Sequence, residues 1–271
     1  MRDQADVIDQ ADLSFDDLRA VLAVALRAGQ LLLLAGADTQ RVEETVHRVG
    51  TALGADWMEV YVTPTGIIAS ALSGEEHRTR IVRVIGSTVD LSRINALNQL
   101  SRRIAIDRLS YQQVAAELEQ IAEQRRSYGQ WTTVLIVAVA CACFSQLFGG
   151  TWHEFVAVLI AVVPAMLLRH RMTERGIGPI LQIPLVAFLA TVIVSLVGRA
   201  VGVQRPEIAV PAAVLLLVPG VPLITSLTDL IGGFLLSSVA RGAAAIVIVV
   251  EISVGVALAL QLLRVTGLSG A

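Results

Sequence analysis

The chain has 271 residues and a net charge of −2, its mean hydropathy is +0.69, and its 21 basic residues are all arginine. That balance offers no basic surface for nucleic acid, and the lack of lysine removes Schiff-base and lysine-nucleophile chemistry. Charge is spread unevenly: residues 1–126 hold 14 Arg and 18 acids, whereas the 145 residues of 127–271 hold 7 Arg and 5 acids. Charged side chains are costly in hydrocarbon, and apolar runs of about 20 residues span it. The division predicts a multi-span α-helical membrane protein, with an N-terminal cytoplasmic α+β domain over 1–126 and a membrane domain over 127–271.

The first 17 residues hold six Asp and no basic n-region, so no cleavable signal peptide is expected. Ser14 with Asp17 resembles a capping box, which opens a helix over about 15–35 that Gly36 ends. The apolar segment 21–37 is interrupted by Arg27 and Gln30 and reads as a buried helix. Asp38 or Thr39 starts the next helix, with Val42, Val46, Val49 and Leu53 at helical spacing and Gly54 past its end. Three strands follow: Trp57 to Val62, Ile67 to Leu72 and His77 to Ile85. Pro64-Thr65-Gly66 and Ser73 to Glu76 form their turns. Arg78, Arg80 and Arg83 are expected to make the outer face of the third strand basic. Helices over about 88–106 and 111–126, the second capped by Ser110, complete the order ααβββαα.

This domain offers little chemistry. His47 and His77 are its only histidines, it has no cysteine, and no metal-ligand spacing is present. Glu43 and Glu44 read as first-turn dipole partners, and Arg41 either pairs with Thr45 or Glu44 or lies on a solvated face. Thr63-Pro64-Thr65-Gly66 offers hydroxyls and backbone donors to a small ligand, or is a structural bulge. No phosphate-cradling loop, cofactor motif or nucleophile–base pair is found, so neither an ATP-driven pump nor an enzyme is indicated. Cys141 and Cys143 lie in an apolar run and read as packing or membrane-facing residues.

Five spans are predicted, over about 131–149, 152–168, 177–198, 208–238 (interrupted) and 242–263. Glu154 is placed at an interface and Arg241 in the loop before the last span. Trp131 and Trp152 fall where interfacial aromatic anchors belong. Arg125 and Arg126 precede the first span, none lies in 149–153, and Arg169, Arg171 and Arg175 fill the next loop. This puts the first domain inside and the C-terminus outside, although Arg199 and Arg205 dilute the signal.

The fourth span carries Pro219, Gly220 and Pro222, and proline removes a backbone donor and clashes with the carbonyl four residues earlier. A break within the bilayer is expected; transporters aim such free backbone groups at substrate. Thr225, Ser226, Thr228 and Asp229 follow at once. The alternative is a proline kink in a packing helix, with Asp229 at the interface. Glu251 is a second intramembrane acid; with Asp229 it is a candidate for proton coupling, or it makes a structural hydrogen bond. Arg241 is a candidate partner for Asp229. Gln182, Ser145 and Gln146 are weaker polar candidates, of the kind that join helices.

Several segments together resemble the bacterial threonine/serine exporter family. Gly36-Ala37-Asp38-Thr39-Gln40-Arg41-Val42-Glu43, Ala52-Leu53-Gly54 and Thr63-Pro64-Thr65-Gly66-Ile67 are similar to its N-terminal domain. Leu217-Val218-Pro219-Gly220 through Asp229, then Gly232 and Arg241, are similar to its membrane part. Full-length members carry about ten spans and this chain about five. Its layout is closer to the larger subunit of the two-component succinate exporters, which pair with a small membrane-only subunit. The resemblance implies secondary export of small carboxylated metabolites such as threonine, serine or succinate, driven by an ion gradient, and it carries over no catalytic residues.

The sequence thus predicts an inner-membrane exporter subunit without cofactor or metal. Pro219, Gly220 and Pro222 would present helix N-terminal amides to a substrate carboxylate. Thr225, Ser226 and Thr228 would bind its polar groups, and Asp229 or Glu251 would exchange protons. Five spans make a thin pathway, so an oligomer or a partner subunit in the lipid bilayer is expected. The rival readings are a membrane-tethered cytoplasmic sensor or enzyme whose helices only anchor it, and an assembly subunit for a separate pore. An anchor needs neither a broken, hydroxyl-lined span nor buried acids.

Overall fold

A computed structural model describes residues 13–86, 88–124 and 128–266. The chain divides into two compact units, Met1–Arg125 with Val221–Gly242, and Arg126–Gly220 with Ala243–Ala271.

The first unit is built on helix α1, Phe15–Leu34. The Ser14 hydroxyl oxygen accepts the Asp17 N–H at 3.2 Å and starts it, as expected. The helix is apolar nearly all round, with Leu18, Val21, Leu26 and Leu32 fully buried, so it forms the centre of the core. Gly36, at φ +84°, turns the chain, and Asp38 accepts the Arg41 N–H at 2.9 Å to cap helix α2, Thr39–Ala52. Side chains are excluded at two crossings. A Cβ on Gly29 would lie 2.4 Å from Val46 Cγ2, and one on Gly50 would lie 1.6 Å from Met58 Sδ.

Strands β1 (Trp57–Thr63), β2 (Gly66–Ser73) and β3 (Glu76–Arg83) form an antiparallel sheet in that order. Both connections are two-residue loops, since Thr63 pairs with Gly66 and Ser73 with Glu76. Met58, Val62, Ile67, Ala69 and Ala71 face the core. The register corrects the expectation for β3. Arg78 pairs with Ala71 and Arg80 with Ala69, so both arginines share the inner face of the sheet. Arg78 lays its guanidinium 3.3 Å over the Phe15 ring, which lets an arginine stem occupy the rim of an apolar face. Arg83 alone of the three has the opposite parity.

Helix α3 spans Leu91–Asp107, starting three residues later than expected because Asp90 caps it, accepting the Arg93 N–H at 3.0 Å. Helix α4 spans Tyr111–Glu123 behind a capping box of Ser110 and Gln113; the expected continuation through Arg125 and Arg126 lies outside the described residues. The order ααβββαα is thus observed.

Long apolar helices make up the rest: α5 (Gln130–Leu147), α6 (Trp152–Glu174), α7 (Pro179–Val201), α8 (Pro206–Val214), α9 (Gly220–Ile231) and α10 (Leu235–Val265). A 3-10 turn, Leu215–Leu217, extends α8. Four of these helices are long and apolar enough to cross a membrane, and α8 joined to α9 would make a fifth span. The core of the second unit is rich in alanine, including Ala138, Ala157, Ala161, Ala187 and Ala212, which lets helix backbones approach closely. Gly255 of α10 faces Pro184 of α7 so closely that a Cβ would lie 2.3 Å from the Pro184 carbonyl. Because α10 starts at Leu235, Arg241 lies inside that helix and not in a loop before it.

Candidate functional site

The boundary between the two units runs through the proline-interrupted segment, with Pro219 and Gly220 in one and Pro222 in the other, and it separates Asp229 from Glu251. The interruption falls at Val218 and Pro219. Pro222 has no N–H to bond the Val218 carbonyl, and its ring crowds that group, so α9 cannot be extended backwards through Val218. The orphan carbonyl of Leu216 is satisfied within its own unit, accepting from Arg169 Nη1 at 3.2 Å. Gln182 of α7 fastens this end of α6 by donating to the Arg169 carbonyl at 2.7 Å and to Thr173 Oγ1 at 2.6 Å. The break therefore lies beside the arginine-bearing end of α6.

The α9 hydroxyls do not converge. Thr225 donates to the Val221 carbonyl at 2.9 Å and Thr228 to the Ile224 carbonyl at 3.0 Å, both on their own helix. Ser226 reaches across to α10 and donates to the Ser238 carbonyl at 2.8 Å. Gly242 makes room for it, since a Cβ there would meet Ser226 Oγ at 3.1 Å.

Asp229 is 1% exposed and engaged at both oxygens. Oδ1 accepts the N–H of Thr39, the first residue of α2, at 2.8 Å. Oδ2 lies 3.2 Å from Arg241 Nε, the expected pairing. Arg241 Nη2 also donates to the Ala37 carbonyl at 3.0 Å. Gly232 and Gly233, the latter at φ +83°, reverse the chain between α9 and α10 and bring residue 229 beside 241. Neither Thr39 nor Ala37 was foreseeable as a partner, because 190 and 204 positions separate the bonded residues.

Glu251 stands further along α10, half-buried, with no hydrogen bond or ion pair among the described residues. It belongs to the other compact unit from Asp229 and Arg241.

Glu154, at the start of α6, is fully buried within the protein. It caps its own helix through Thr151, and its Oε1 accepts the backbone N–H groups of Gln204 and Arg205, both at 3.0 Å. Arg205 Nη1 donates to the Gly149 carbonyl at 3.0 Å. One carboxylate thus ties the start of α6 to the start of α8.

In the first domain, α2 covers the outer edge of β1. His47 Nδ1 is 2.7 Å from the Met58 carbonyl, which makes it the donor, and Glu43 Oε1 accepts the Val62 N–H at 3.2 Å. Glu43 is thus a strand-edge partner, not a first-turn dipole partner. Burial raises the pKa of its carboxyl above the ordinary carboxylate value, opposed by the Val62 N–H. Arg41 pairs with Asp38 at 3.3 Å, not with Thr45 or Glu44. The Thr63 to Gly66 segment is the β1–β2 hairpin, with the Thr63 hydroxyl donating to the Gly66 carbonyl at 3.1 Å.

Residues 23–263 match the family model described as "Putative threonine/serine exporter". A probable succinate transporter subunit, YjjP, of Klebsiella aerogenes is 31% identical over 95% of this chain and 99% of its own length. The protein of the same name in Escherichia coli is 30% identical over 92% and 97%. A probable threonine/serine exporter of Mycobacterium tuberculosis is 28% identical over 91% of this chain, which covers 47% of that longer protein. No solved structure matches the chain.

Proposed function

The chain belongs to the threonine/serine exporter family, a family of membrane exporters, and on that premise we propose that it is one subunit of an ion-gradient-driven exporter of small carboxylated metabolites in the bacterial inner membrane. The observation that carries this reading is the near end-to-end match, in both directions, to two probable succinate transporter subunits. It favours a dicarboxylate over threonine or serine. It also favours a second, small membrane subunit that supplies the remaining spans.

In this reading the first domain faces the cytoplasm. The first turn of α9, opening at Gly220 between Pro219 and Pro222, meets the substrate carboxylate through its amides. Thr225, Ser226 and Thr228 shape the route beside it. Glu251, without a partner among the described residues, exchanges the coupling proton; an acid at that depth must pair or be protonated.

The test is efflux of labelled succinate, threonine and serine from preloaded cells carrying the chain and its partner subunit. Glu251→Gln is expected to abolish gradient-driven efflux while leaving downhill exchange. Efflux at the wild-type rate in Glu251→Gln would remove the coupling role. Failure of all three solutes to leave faster than from control cells would remove the substrate class.

A further inference from the structure

We infer that Asp229 and Arg241 form a latch, joining the α9–α10 hairpin to the turn between α1 and α2, and that they serve export by positioning α9 and not by touching the solute. The inference rests on the export reading for its consequence, but its geometry lies entirely within one compact unit. Three contacts make the latch: Thr39 N–H to Asp229 Oδ1 at 2.8 Å, Arg241 Nε to Asp229 Oδ2 at 3.2 Å, and Arg241 Nη2 to the Ala37 carbonyl at 3.0 Å. A carboxylate is well placed against the N-terminal amides of a helix. The guanidinium fork neutralises it and reaches the turn at the same time, which a point-charge amine could not do.

The neighbouring charges do not compete. Asp38 caps the Arg41 N–H at 2.9 Å and pairs with the Arg41 side chain, so it leaves Arg241 to Asp229. The arrangement is buried, with the Asp229 side chain 0% and the Arg241 side chain 13% exposed. Breaking one partner therefore strands the other.

The latch has a mechanical consequence. Ser226 bonded to Ser238 keeps α9 and the start of α10 together as one hairpin. The remaining sides of α9 expose Leu223, Ile224, Leu227 and Leu230. The polar edge is what fixes α9, and α9 begins directly after the interruption at Val218 and Pro219. A displacement of the α1–α2 turn is thus delivered to α9 through Asp229.

The experiment uses the full chain with its partner subunit in liposomes loaded with labelled succinate, and variants Asp229→Ala, Arg241→Gln, the double variant and the conservative Arg241→Lys. A latch predicts a maximal rate lowered at least about tenfold in each single variant with KM within about twofold, and a double variant no worse than either. Arg241→Lys keeps the charge but loses the fork, and should fall between. Amide hydrogen exchange on the purified chain supplies a readout independent of transport: the Thr39 amide should exchange at least about tenfold faster in Asp229→Ala and measurably faster in Arg241→Lys. A raised KM at unchanged maximal rate would overturn the latch by placing Asp229 on the solute. Wild-type exchange at Thr39 in Arg241→Lys and in whichever other variants fold would overturn it as well. If the wild type moves no labelled solute, the export reading fails alone and hydrogen exchange still decides the latch.

Discussion

Glu43 shows how a single side chain couples the first domain to pH. Burial, the larger effect, raises its folded-state pKa, and the Val62 N–H works against that shift. The folded chain therefore holds this proton more tightly than the unfolded chain. Its contribution to stability is present below the ordinary carboxylate value and is lost as pH rises through the folded value. Glu43→Gln keeps a carbonyl oxygen for the Val62 N–H and never ionises. The variant should melt above wild type at pH 7, and the difference should close as pH falls into the carboxylate range, followed by circular dichroism of the full chain in detergent. Equal melting at pH 7 would show that Glu43 carries no such penalty. The role was hidden in the sequence because Glu43 sits close to the start of a helix, where an acid has an obvious dipole partner. What decides the matter is β1, whose edge has to be closed by something, and no local pattern records that α2 crosses it. Arg78 misled for a related reason: alternation says which residues share a face, and it took the pairing with Ala71 to say which face that was.

Helix starts were legible wherever the capping group is local, as at Ser14, Asp38 and Ser110, because the signal and its partner lie three residues apart. Ends set by distant partners were not. The partners of Glu154 across the helix start, the amides of Gln204 and Arg205, are 50 and 51 residues away and leave no local mark. Its two oxygens between them take the Thr151 amide and hydroxyl on one side and those two amides on the other. A carboxamide can accept on only one side. Glu154→Gln should therefore set an N–H₂ group against donors and lower the stability of the second unit by at least about 2 kcal/mol. The control is Glu207→Gln, an exposed acid in the first turn of α8, which should change stability by less than about 0.5 kcal/mol. Thermal unfolding of both variants in the same detergent makes the comparison. Equal melting would mean that water or lipid headgroups replace the contacts that tie α6 to α8.

At the scale of the whole chain, the same contacts bear on how the helices alternate. Arg205 donates to the Gly149 carbonyl and Glu154 receives the Gln204 and Arg205 amides, so the α5–α6 and α7–α8 connections share one end of their unit. Arg169 donates to the Leu216 carbonyl, so the far end of α8 meets the far end of α6. The α8 helix with its 3-10 turn thus runs the length of α6 between these two contacts, and the interruption comes only after it. Of the two arginines that dilute the orientation signal, Arg205 is spent on a carbonyl at the Gly149 end, whereas Arg169, Arg171 and Arg175 cluster at the other. We therefore expect the Arg169–Arg175 end to lie in the cytoplasm together with the first domain, and the Gly149 and Arg205 connections to lie outside. The chain would cross an odd number of times and leave its C-terminus outside. Alkaline phosphatase fused after Gly150 or after Val203 should be active, and fused after Gly176 inactive, with a cytoplasmic fluorescent reporter giving the reverse. Activity after Gly176 would invert the topology. Loss of the difference between Gly150 and Gly176 would mean that α6 does not cross at all, and the tie between Glu154 and the start of α8 would then join two surface helices.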